Sequence, residues 1–351
     1  MDEKLIVSII INNYNYDRFL KEAIDSALNQ TYPHTEVIVV DDGSTDKSRE
    51  IIAEYEDRIV PILQPNGKQA AAFNSGFANS KGDIIIFLDS DDYLLSHAVE
   101  RIVSVWKPTL SKVHYRLEVV DTDRAAFGYS FPQGTAPLST GEVWKNLLDV
   151  GGYVRVPTSG NALNRNALLP LFPIADRYKL TADDYLSILV PFYGDVGAIE
   201  EPIGAYRIHG NNQWALATVT SERFQRFIQH DLVVYQLLLA KAKELNYELP
   251  KDFELRSFGR FHVRLISLRL SPDEHPIDRD RVIDLVWSGI RSIWQYSNLS
   301  WLKKVIHTLW LIWVGFMPLP SIKPAITWFY TPHFRPKAIE WAINQVRSFA
   351  S

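Results

Sequence analysis

The sequence predicts an α/β fold with a mostly parallel sheet and flanking helices, followed by an all-helical C-terminal region. Three observations predict it. Short β-branched runs alternate with amphipathic segments in the first half of the chain, polar or acidic loops follow these runs, and strand patterns disappear after Thr220. We therefore divide the chain into an α/β domain at 1–215, with halves at 1–110 and 111–215, and a helical region at 216–351.

The composition is that of an ordinary globular protein. Its 351 residues are 46% hydrophobic and 22% charged, which argues against a disordered chain or a multi-span membrane protein. The net charge of −4 argues against a general nucleic-acid binder, whose surface would be basic. The absence of cysteine excludes disulfides, thiolate metal sites and cysteine nucleophiles. The N-terminus enters a strand pattern without an apolar signal segment, so we expect a cytoplasmic protein.

The first two strands are predicted to end in polar loops. A β-branched run at Leu5–Ile11 leads into the asparagine-rich loop Asn12–Tyr16, and Asp17–Gln30 carries apolar residues at helical spacing. A second strand at Glu36–Val40 ends in the acidic loop Asp41–Asp46. Strand, loop and helix in this order predict parallel strands joined by right-handed crossovers.

A helix of small residues is predicted next. It follows a helix at Lys47–Glu56 and a strand at Ile59–Leu63, runs to Asn79, and is expected to break at Asn74–Gly76. Its N-terminus beside Lys68 is an expected anion site. Close packing on the sheet explains its alanines equally well.

The most informative stretch is the apolar run that begins at Asp83 and ends in three carboxylates among four residues, Asp89, Asp91 and Asp92. Such a run predicts a strand buried on both faces, and in open α/β sheets ligands bind at the carboxyl ends of the strands. Clustered carboxylates repel one another unless a cation or hydrogen-bond donors compensate them. Oxygen ligands favour Mg²⁺ or Mn²⁺ carrying a phosphate over zinc. An acidic loop that caps a helix is the alternative.

The second half of the domain is less regular. Ser96–Trp106 predicts a helix with Ser96 as its N-cap, and Lys112–Asp121 predicts a half-buried strand. The segment 125–156 has no clean period, which suits a substrate-specific insertion, and Ser159–Leu163 predicts another strand.

A second carboxylate pair, Asp183 and Asp184, follows Thr181, the predicted N-cap of a helix. Acids in a first turn are favourable for dipole reasons alone, so the pair by itself does not distinguish a functional role from a stabilising one. Gly204–His209 predicts a short strand, and Gly210–Asn212 predicts a turn.

The C-terminal region is predicted to be helical, basic and rich in tryptophan. Its predicted helices are Glu222–Leu245, Phe253–Leu270 and Arg279–Tyr296. From Leu285 onward there are seven basic residues and one acid, Glu340, together with seven of the ten tryptophans. The basic residues are Arg291, Lys303, Lys304, Lys323, Arg335, Lys337 and Arg347.

Three of these tryptophans, Trp287, Trp294 and Trp301, recur every seven residues and would share one face of a continuous helix. The nine-residue apolar run Leu309–Met317 is too short to span a bilayer, which needs about 20 residues.

Three blocks carry a family resemblance. Val7–Asn15, Val39–Asp46 and Phe87–Asp92 resemble the opening strand, the Asp-Asp-Gly-Ser block and the Asp-x-Asp motif of family 2 glycosyltransferases, which are inverting enzymes with the nucleotide-sugar-binding GT-A fold. The blocks stand in the family's order at predicted strand ends, and the resemblance covers Ile6–Asn212. It implies a GT-A domain whose first half binds the nucleotide and whose second half binds the acceptor.

The resemblance also implies donor-binding roles. Asp42, with Asn12 beside it, would bind the base of the donor, Asp89 would face the ribose, and Asp91 would hold the metal that bridges the diphosphate. Many members carry an arginine where this chain has Phe73, so Lys68 is expected to supply that cationic contact.

The acceptor side is assigned in the same way. Asp183–Asp184 resembles the family's Glu-Asp pair, whose second acid is the catalytic base, so Asp184 is the first candidate and Asp183 the second. Tyr206–His209 resembles a segment that lies near the diphosphate, which implies such a position for Arg207 and His209. A core histidine is the alternative for His209.

Together these residues predict an inverting glycosyltransferase that uses Mn²⁺ or Mg²⁺ and a nucleoside diphosphate sugar, with uridine as the commonest family donor. The acceptor is expected to be a hydroxyl of a cell-envelope or lipid-linked glycan. The basic, tryptophan-rich segment 285–351 is expected to lie on the inner face of the cell membrane. A helical core or a homodimer interface is the alternative explanation of its tryptophans.

Two other functions remain open from the residues alone. A sugar nucleotidyltransferase should carry a Gly-rich phosphate loop near the N-terminus, which Asn12–Asn15 is not. In a non-catalytic nucleotide- or glycan-binding module, loss of the Asp184 carboxylate would leave function intact.

Overall fold

The structure is a computed structural model that describes residues 4–134, 136–209 and 220–330. The predicted turn Gly210–Asn212 and the part of the tail at 331–351 lie outside the described residues. The chain divides into two compact units, the first comprising 1–147 and 153–209 and the second comprising 148–152 and 210–351.

The described part of the first unit is built on a nine-stranded sheet. Its strands are β1 (Val7–Asn13), β2 (Thr35–Asp42), β3 (Val60–Gln64), β4 (Ile84–Asp89), β5 (Tyr93–Leu94), β6 (Leu110–Val120), β7 (Ala126–Phe131), β8 (Asn161–Asn164) and β9 (Asp195–Arg207). The order is β3-β2-β1-β4-β8-β6-β9-β5, and β7 pairs with β6 off this path. The α/β class is confirmed, but the sheet is mixed, since four of its eight strand pairings are antiparallel.

Helices flank the sheet and then replace it. Those before residue 210 are α1 (Asp17–Leu28), α2 (Ser48–Ala53), α3 (Lys68–Ala78), α4 (Ala98–Val105), α5 (Val143–Val150), α6 (Arg165–Leu168) and α7 (Ala182–Leu189). Those after residue 219 are α8 (Ser221–Glu244), α9 (Phe258–Leu270), α10 (Val282–Tyr296), α11 (Trp301–Phe316) and α12 (Leu319–Tyr330).

The parallel half of the sheet brings three strand ends together. β1 lies between β2 and β4 and runs parallel to both, with Asn13 opposite Asp41 and Asn12 opposite Asp89. The residues of β4 that precede Asp89 are all buried, which removes polar residues from the middle of the strand and leaves them at its end. The prediction that the loops after these strands share one edge of the sheet is confirmed.

Helix α3 is continuous, so the predicted break at Asn74–Gly76 is wrong. The glycine is needed for packing, because a Cβ at Gly76 would overlap Ile10 Cγ2 of β1. The missing side chain allows the helix to approach the sheet closely.

Strand β6 is not half-buried as predicted, because Glu118 is its only exposed residue. Its apparent polar face, Lys112, His114 and Arg116, lies inside the protein. In β6, the alternation of apolar and polar residues therefore does not indicate a solvent-exposed face.

Two predicted boundaries also differ. Helix α4 begins at Ala98 after His97, and no side chain, including that of Ser96, caps it. Ser159 lies in a 3₁₀ turn at Thr158–Gly160, and β8 begins only at Asn161.

The second unit is helical in its described residues. Its core includes Phe224, Phe261, Leu285 and Leu311. Helix α10 ends at Tyr296 and Trp301 begins α11, so the three evenly spaced tryptophans do not share one helix. Among the described residues no helix has both the length and the apolar content needed to cross a membrane.

Candidate active site

The site begins with Asn12, which follows the buried core of β1. Its Nδ2 donates to Asp89 Oδ1 at 2.9 Å, as their pairing across β1 and β4 requires. Its Oδ1 is buried and accepts no hydrogen bond within the described residues. A buried acceptor without a donor is costly, so this oxygen is suited to a donor group of a ligand.

Asp89 lies in a desolvated, negatively charged position. Burial, followed by the charge of Asp91, raises the pKa of Asp89 to about 7, although hydrogen bonds from Asn12 and Thr158 oppose that rise. The donors therefore compensate the Asp89 carboxylate only in part. A cation at this edge of the sheet would stabilise its ionised form.

Asp92 is more deeply placed, with 1% of its surface exposed. It accepts hydrogen bonds from Ser159 Oγ at 2.6 Å and from the backbone N–H of Arg207 at 2.9 Å. Burial and the charges of Asp91 and Asp89 raise the pKa of Asp92 well above its usual range. The three strand-end carboxylates thus share one poorly solvated volume.

His209 contacts the middle acid of this cluster. Its Nε2 lies 2.8 Å from Asp91 Oδ2, and its ring centre lies 5.4 Å from that of Tyr16 and 5.3 Å from that of Phe19. Burial, followed by the charges of the strand-end acids, raises the pKa of the Tyr16 hydroxyl. His209 therefore packs like a core residue and also bonds a carboxylate of the site.

Arg207 lies beneath the site with 1% of its surface exposed. Its guanidinium donates to the carbonyl oxygens of Asp91 at 2.8 Å, Asp121 at 3.2 Å and Thr122 at 3.1 Å, and it forms an ion pair with Glu22. These contacts order the loop that carries Asp91. Arg207 therefore positions the acid cluster.

Asp42 occupies the N-terminus of α3. Its carboxylate accepts from the backbone N–H groups of Gly67 at 2.9 Å and Lys68 at 2.7 Å, and from Gln64 Nε2 at 2.7 Å. The anion site predicted at this helix end is therefore filled by the protein's own carboxylate. The Lys68 side chain is exposed, with its Nζ 5.6 Å from the centre of the Tyr14 ring.

The second acid pair lies in the first turn of α7. Asp184 Oδ1 is 3.2 Å from Arg155 Nη1. Burial, then the charge of Asp184 and then that of Asp89, raises the pKa of Asp183 well above its usual range. The backbone N–H of Asp183 also lies 3.5 Å from Gln69 Oε1 at the start of α3. The two carboxylate groups, distant in sequence, therefore border one site.

Sequence reasoning did not identify the donors that hold these acids. Ser159, which bonds Asp92, had been assigned to a strand, and Arg155 lies in the segment that showed no period. Their partners are 67 and 29 residues away, so no local pattern could have revealed them.

Lys112 was also missed. It is fully buried, with its Nζ 2.6 Å from Asn161 Oδ1 and 3.1 Å from Tyr153 Oη. Burial, followed by the charge of Arg155, lowers the pKa of Lys112 to about 7. The available signal was the run of basic residues at every second position of an otherwise apolar strand.

The strand-end acids have the chemistry of a partial metal site. Among the described residues no three His, Cys, Asp or Glu side chains are arranged to hold a metal by themselves. Mg²⁺ and its analogues commonly use one or two carboxylates and complete their shell with phosphate oxygens and water. Asp91 and Asp89, whose charges repel each other, fit such a partial ligand set.

Comparison with known proteins also points to a glycosyltransferase. The model of the family described as Glycosyl transferase family 2 matches residues 8–122. The uncharacterized glycosyltransferase alr2836 of Nostoc sp. is 37% identical over 225 residues, which are 62% of this chain and 69% of that protein. The putative glycosyltransferase EpsH of Bacillus subtilis is 26% identical over 272 residues, which are 75% of this chain and 76% of that protein.

Other similarities are shorter or more remote. The uncharacterized glycosyltransferase RT0329 of Rickettsia typhi is 42% identical over 100 residues, covering 28% of this chain and 31% of that protein. The crystal structure of S. aureus TarS 1-349 in complex with UDP has a TM-score of 0.50 and 14% identity, covering 93% of this chain and 91% of that one. At this identity the similarity bears on the fold, which agrees with the predicted class.

Proposed function

The chain is a member of glycosyl transferase family 2, and on this premise we propose that it transfers a sugar from a nucleoside diphosphate sugar to an acceptor hydroxyl with inversion at the anomeric carbon. One observation carries the proposal: two carboxylate groups from distant parts of the sequence border one site. Gln69, next to Lys68 in α3, contacts Asp183, and the charge of Asp89 acts on Asp183. Displacement needs one group for the diphosphate and another for the acceptor proton.

The donor side uses residues at the ends of β1, β2 and β4. We assign the base to Asp42, the ribose to Asp89 with Asn12 beside it, and the diphosphate edge to Lys68. The unpartnered Asn12 Oδ1 supports a ligand hydroxyl at this position. A uridine nucleotide is favoured because the TarS structure of similar fold was solved with UDP.

Asp91, with Asp89 beside it, would hold Mn²⁺ or Mg²⁺. When bound, the ion would supply positive charge to the leaving diphosphate. His209 fixes the Asp91 carboxylate at 2.8 Å, and Arg207 fixes the backbone of the same loop. We therefore assign Arg207 a positioning role in place of direct contact with the donor.

The acceptor side uses α7. Asp184 accepts the proton of the acceptor hydroxyl while the new bond to the anomeric carbon forms and the bond to the diphosphate breaks. A positioned general base typically contributes about 10²–10⁴-fold to the rate. The contact with Arg155 at 3.2 Å orients Asp184, which supports it over Asp183. Asp183 remains the second candidate because the charge of Asp89 contributes to its raised pKa.

We propose a hydroxyl of a cell-envelope or lipid-linked glycan as the acceptor, with the enzyme at the inner face of the cell membrane. The basic, tryptophan-rich helices α10 and α11 support this acceptor class. The relatives are named glycosyltransferases, which disfavours both a nucleotidyltransferase and a non-catalytic module.

The test is release of nucleoside diphosphate by the purified full chain, measured across nucleotide sugars with Mn²⁺, Mg²⁺ or EDTA. We expect metal-dependent hydrolysis of one donor, and a loss of at least about 100-fold in Asp91→Asn, because removal of one preorganised electrostatic group costs about that much. Asp83→Asn is the matched control, since Asp83 stands at the opposite end of the same strand and is exposed. It should retain wild-type release.

Two outcomes would contradict the proposal. Equal release by wild type and Asp91→Asn would remove the metal role of this acid. No release from any donor, together with no thermal stabilisation by any nucleotide, would contradict donor binding itself.

A further inference from the structure

Helices α10 and α11 expose an unusual number of large apolar side chains. Trp287 is 64% exposed and Trp301 is 69% exposed, values typical of polar surface residues. We call the exposed apolar residues of these two helices the tryptophan face. Its members are Ile283, Trp287, Trp294, Trp301, Ile306, Leu309, Ile312, Trp313 and Phe316.

These residues form stripes and are not scattered. On α10, Ile283, Trp287 and Trp294 are four and seven residues apart, which places them on one side of the helix. Trp294 Nε1 donates to Thr308 Oγ1 of α11 at 3.0 Å, so the stripes of the two helices adjoin.

Packing inside the unit does not explain this surface. The opposite sides of the same helices already supply the core with Leu285, Ile293 and Leu311. Core packing does explain Trp310, whose ring stacks on that of His262 with ring centres 5.0 Å apart and lies tilted against that of Phe329 at 4.7 Å. Among the described residues, core packing leaves Trp287 and Trp301 largely exposed.

The charges around the face indicate its partner. Residues 283–330, which include the whole face, contain one acid, the exposed Asp284, and four basic residues. These are Arg291, Lys303, Lys304 and Lys323. A second copy of the same face would bring like charges together, which disfavours a symmetric dimer. An anionic surface would complement them.

We propose that the tryptophan face is a docking surface for an anionic lipid bilayer, with α10 and α11 lying in the plane of the interface. Tryptophan favours the membrane–water boundary, basic residues favour anionic headgroups, and helices that are apolar on the outside but too short to span lie on the surface. The 16 residues of α11 fall short of a span. This inference rests on the membrane location proposed above and names the surface that binds, and it does not depend on the transfer reaction.

The test is flotation of the full chain with vesicles of phosphatidylcholine alone or mixed with phosphatidylglycerol, an anionic lipid. We expect at least about tenfold stronger partitioning into the anionic vesicles, weakened by salt. Trp287→Ser/Trp301→Ser should reduce it at least about tenfold. The matched control is Leu232→Ser/Leu239→Ser, which changes two exposed apolar residues of α8 and should bind as wild type.

Lys303→Gln/Lys323→Gln separates charge from apolar contact, since it should lower the preference for anionic vesicles about tenfold and leave binding to neutral vesicles unchanged. Thermal melting checks that each variant folds, and exposed substitutions should barely change it. Wild-type protein that does not float, or a tryptophan variant that floats equally well, would overturn the proposal. The proposal would also be overturned if the wild-type protein were a dimer that binds no vesicles and the tryptophan variant were a monomer. Nucleoside diphosphate release without vesicles reports separately on the transfer reaction.

Discussion

The two units depart from ordinary burial in opposite directions. The first buries charged groups, with Lys112 fully buried and Asp92 and Arg207 only 1% exposed, whereas the second exposes Trp287 and Trp301. Incompletely compensated buried carboxylates and exposed tryptophans are both unfavourable for the isolated protein. We propose a further component for each: a cation and a diphosphate at the strand-end acids, and a lipid surface at the tryptophan face.

The comparison also shows that burial alone does not identify a functional group. Arg207 is as buried as Asp92, but its guanidinium meets Glu22 and three carbonyl oxygens, so its charge is compensated within the fold. Asp89 and Asp92 lie beside like charges, and their pKa values rise accordingly. Burial is the first cause of these raised pKa values and the neighbouring like charges the second, so burial together with incomplete compensation distinguishes the site.

The largest expected effect concerns the acid pair of α7. Asp184→Asn should lower kcat for sugar transfer by about 10²–10⁴-fold because it removes the general base. Asp183→Asn should lower it less. The measurement is steady-state transfer with saturating donor, and Asp176→Asn, which changes an exposed acid just before α7, is the matched control. The reverse ranking of the two variants would assign the base to Asp183.

A large effect on stability is expected beneath the acid cluster. Arg207→Met should lower the free energy of unfolding by about 3 kcal/mol or more, because Glu22 would keep only the exposed Arg124 as a partner. Urea denaturation measures the change. Arg101→Met, which breaks an exposed pair with Glu201, should cost under about 1 kcal/mol. If both variants lost the same free energy of unfolding, the buried ion pair of Arg207 would be no more important for stability than the exposed pair of Arg101.

The smallest effect is a pH dependence from Lys112. Its folded-state pKa of about 7 lies below the ordinary value of 10.5, so between these values the unfolded state binds more protons. The stability of the wild type should therefore rise with pH relative to Lys112→Met, by at most about 1.4 kcal/mol per pH unit. Below pH 7 the variant should be the more stable protein.

Denaturation at pH 6, 7, 8 and 9 checks this slope. Lys145→Met, at an exposed position, should show the same pH profile as the wild type. A difference between wild type and Lys112→Met that does not change with pH would contradict the assignment of a buried neutral amine.

The parallel strands β1, β2 and β4, the acids at their ends and the family resemblance could all be recognised from sequence, because they depend on local patterns. Apolar runs predict buried strands, parallel pairing brings their ends together, and Asn12, Asp42, Asp89 and Asp91 follow directly from those ends. The absence of acids from 285–330 is likewise a property of the sequence.

Only the tertiary structure decided what these residues contact. Asp42 meets the N-terminus of α3, Arg207 turns toward Glu22, and Ser159 bonds an acid 67 residues earlier in the chain. Tertiary packing also buried Lys112 and divided the tryptophans between core and surface. These outcomes depend on partners distant in sequence, and no local periodicity carries the identity of a side chain's neighbour in space.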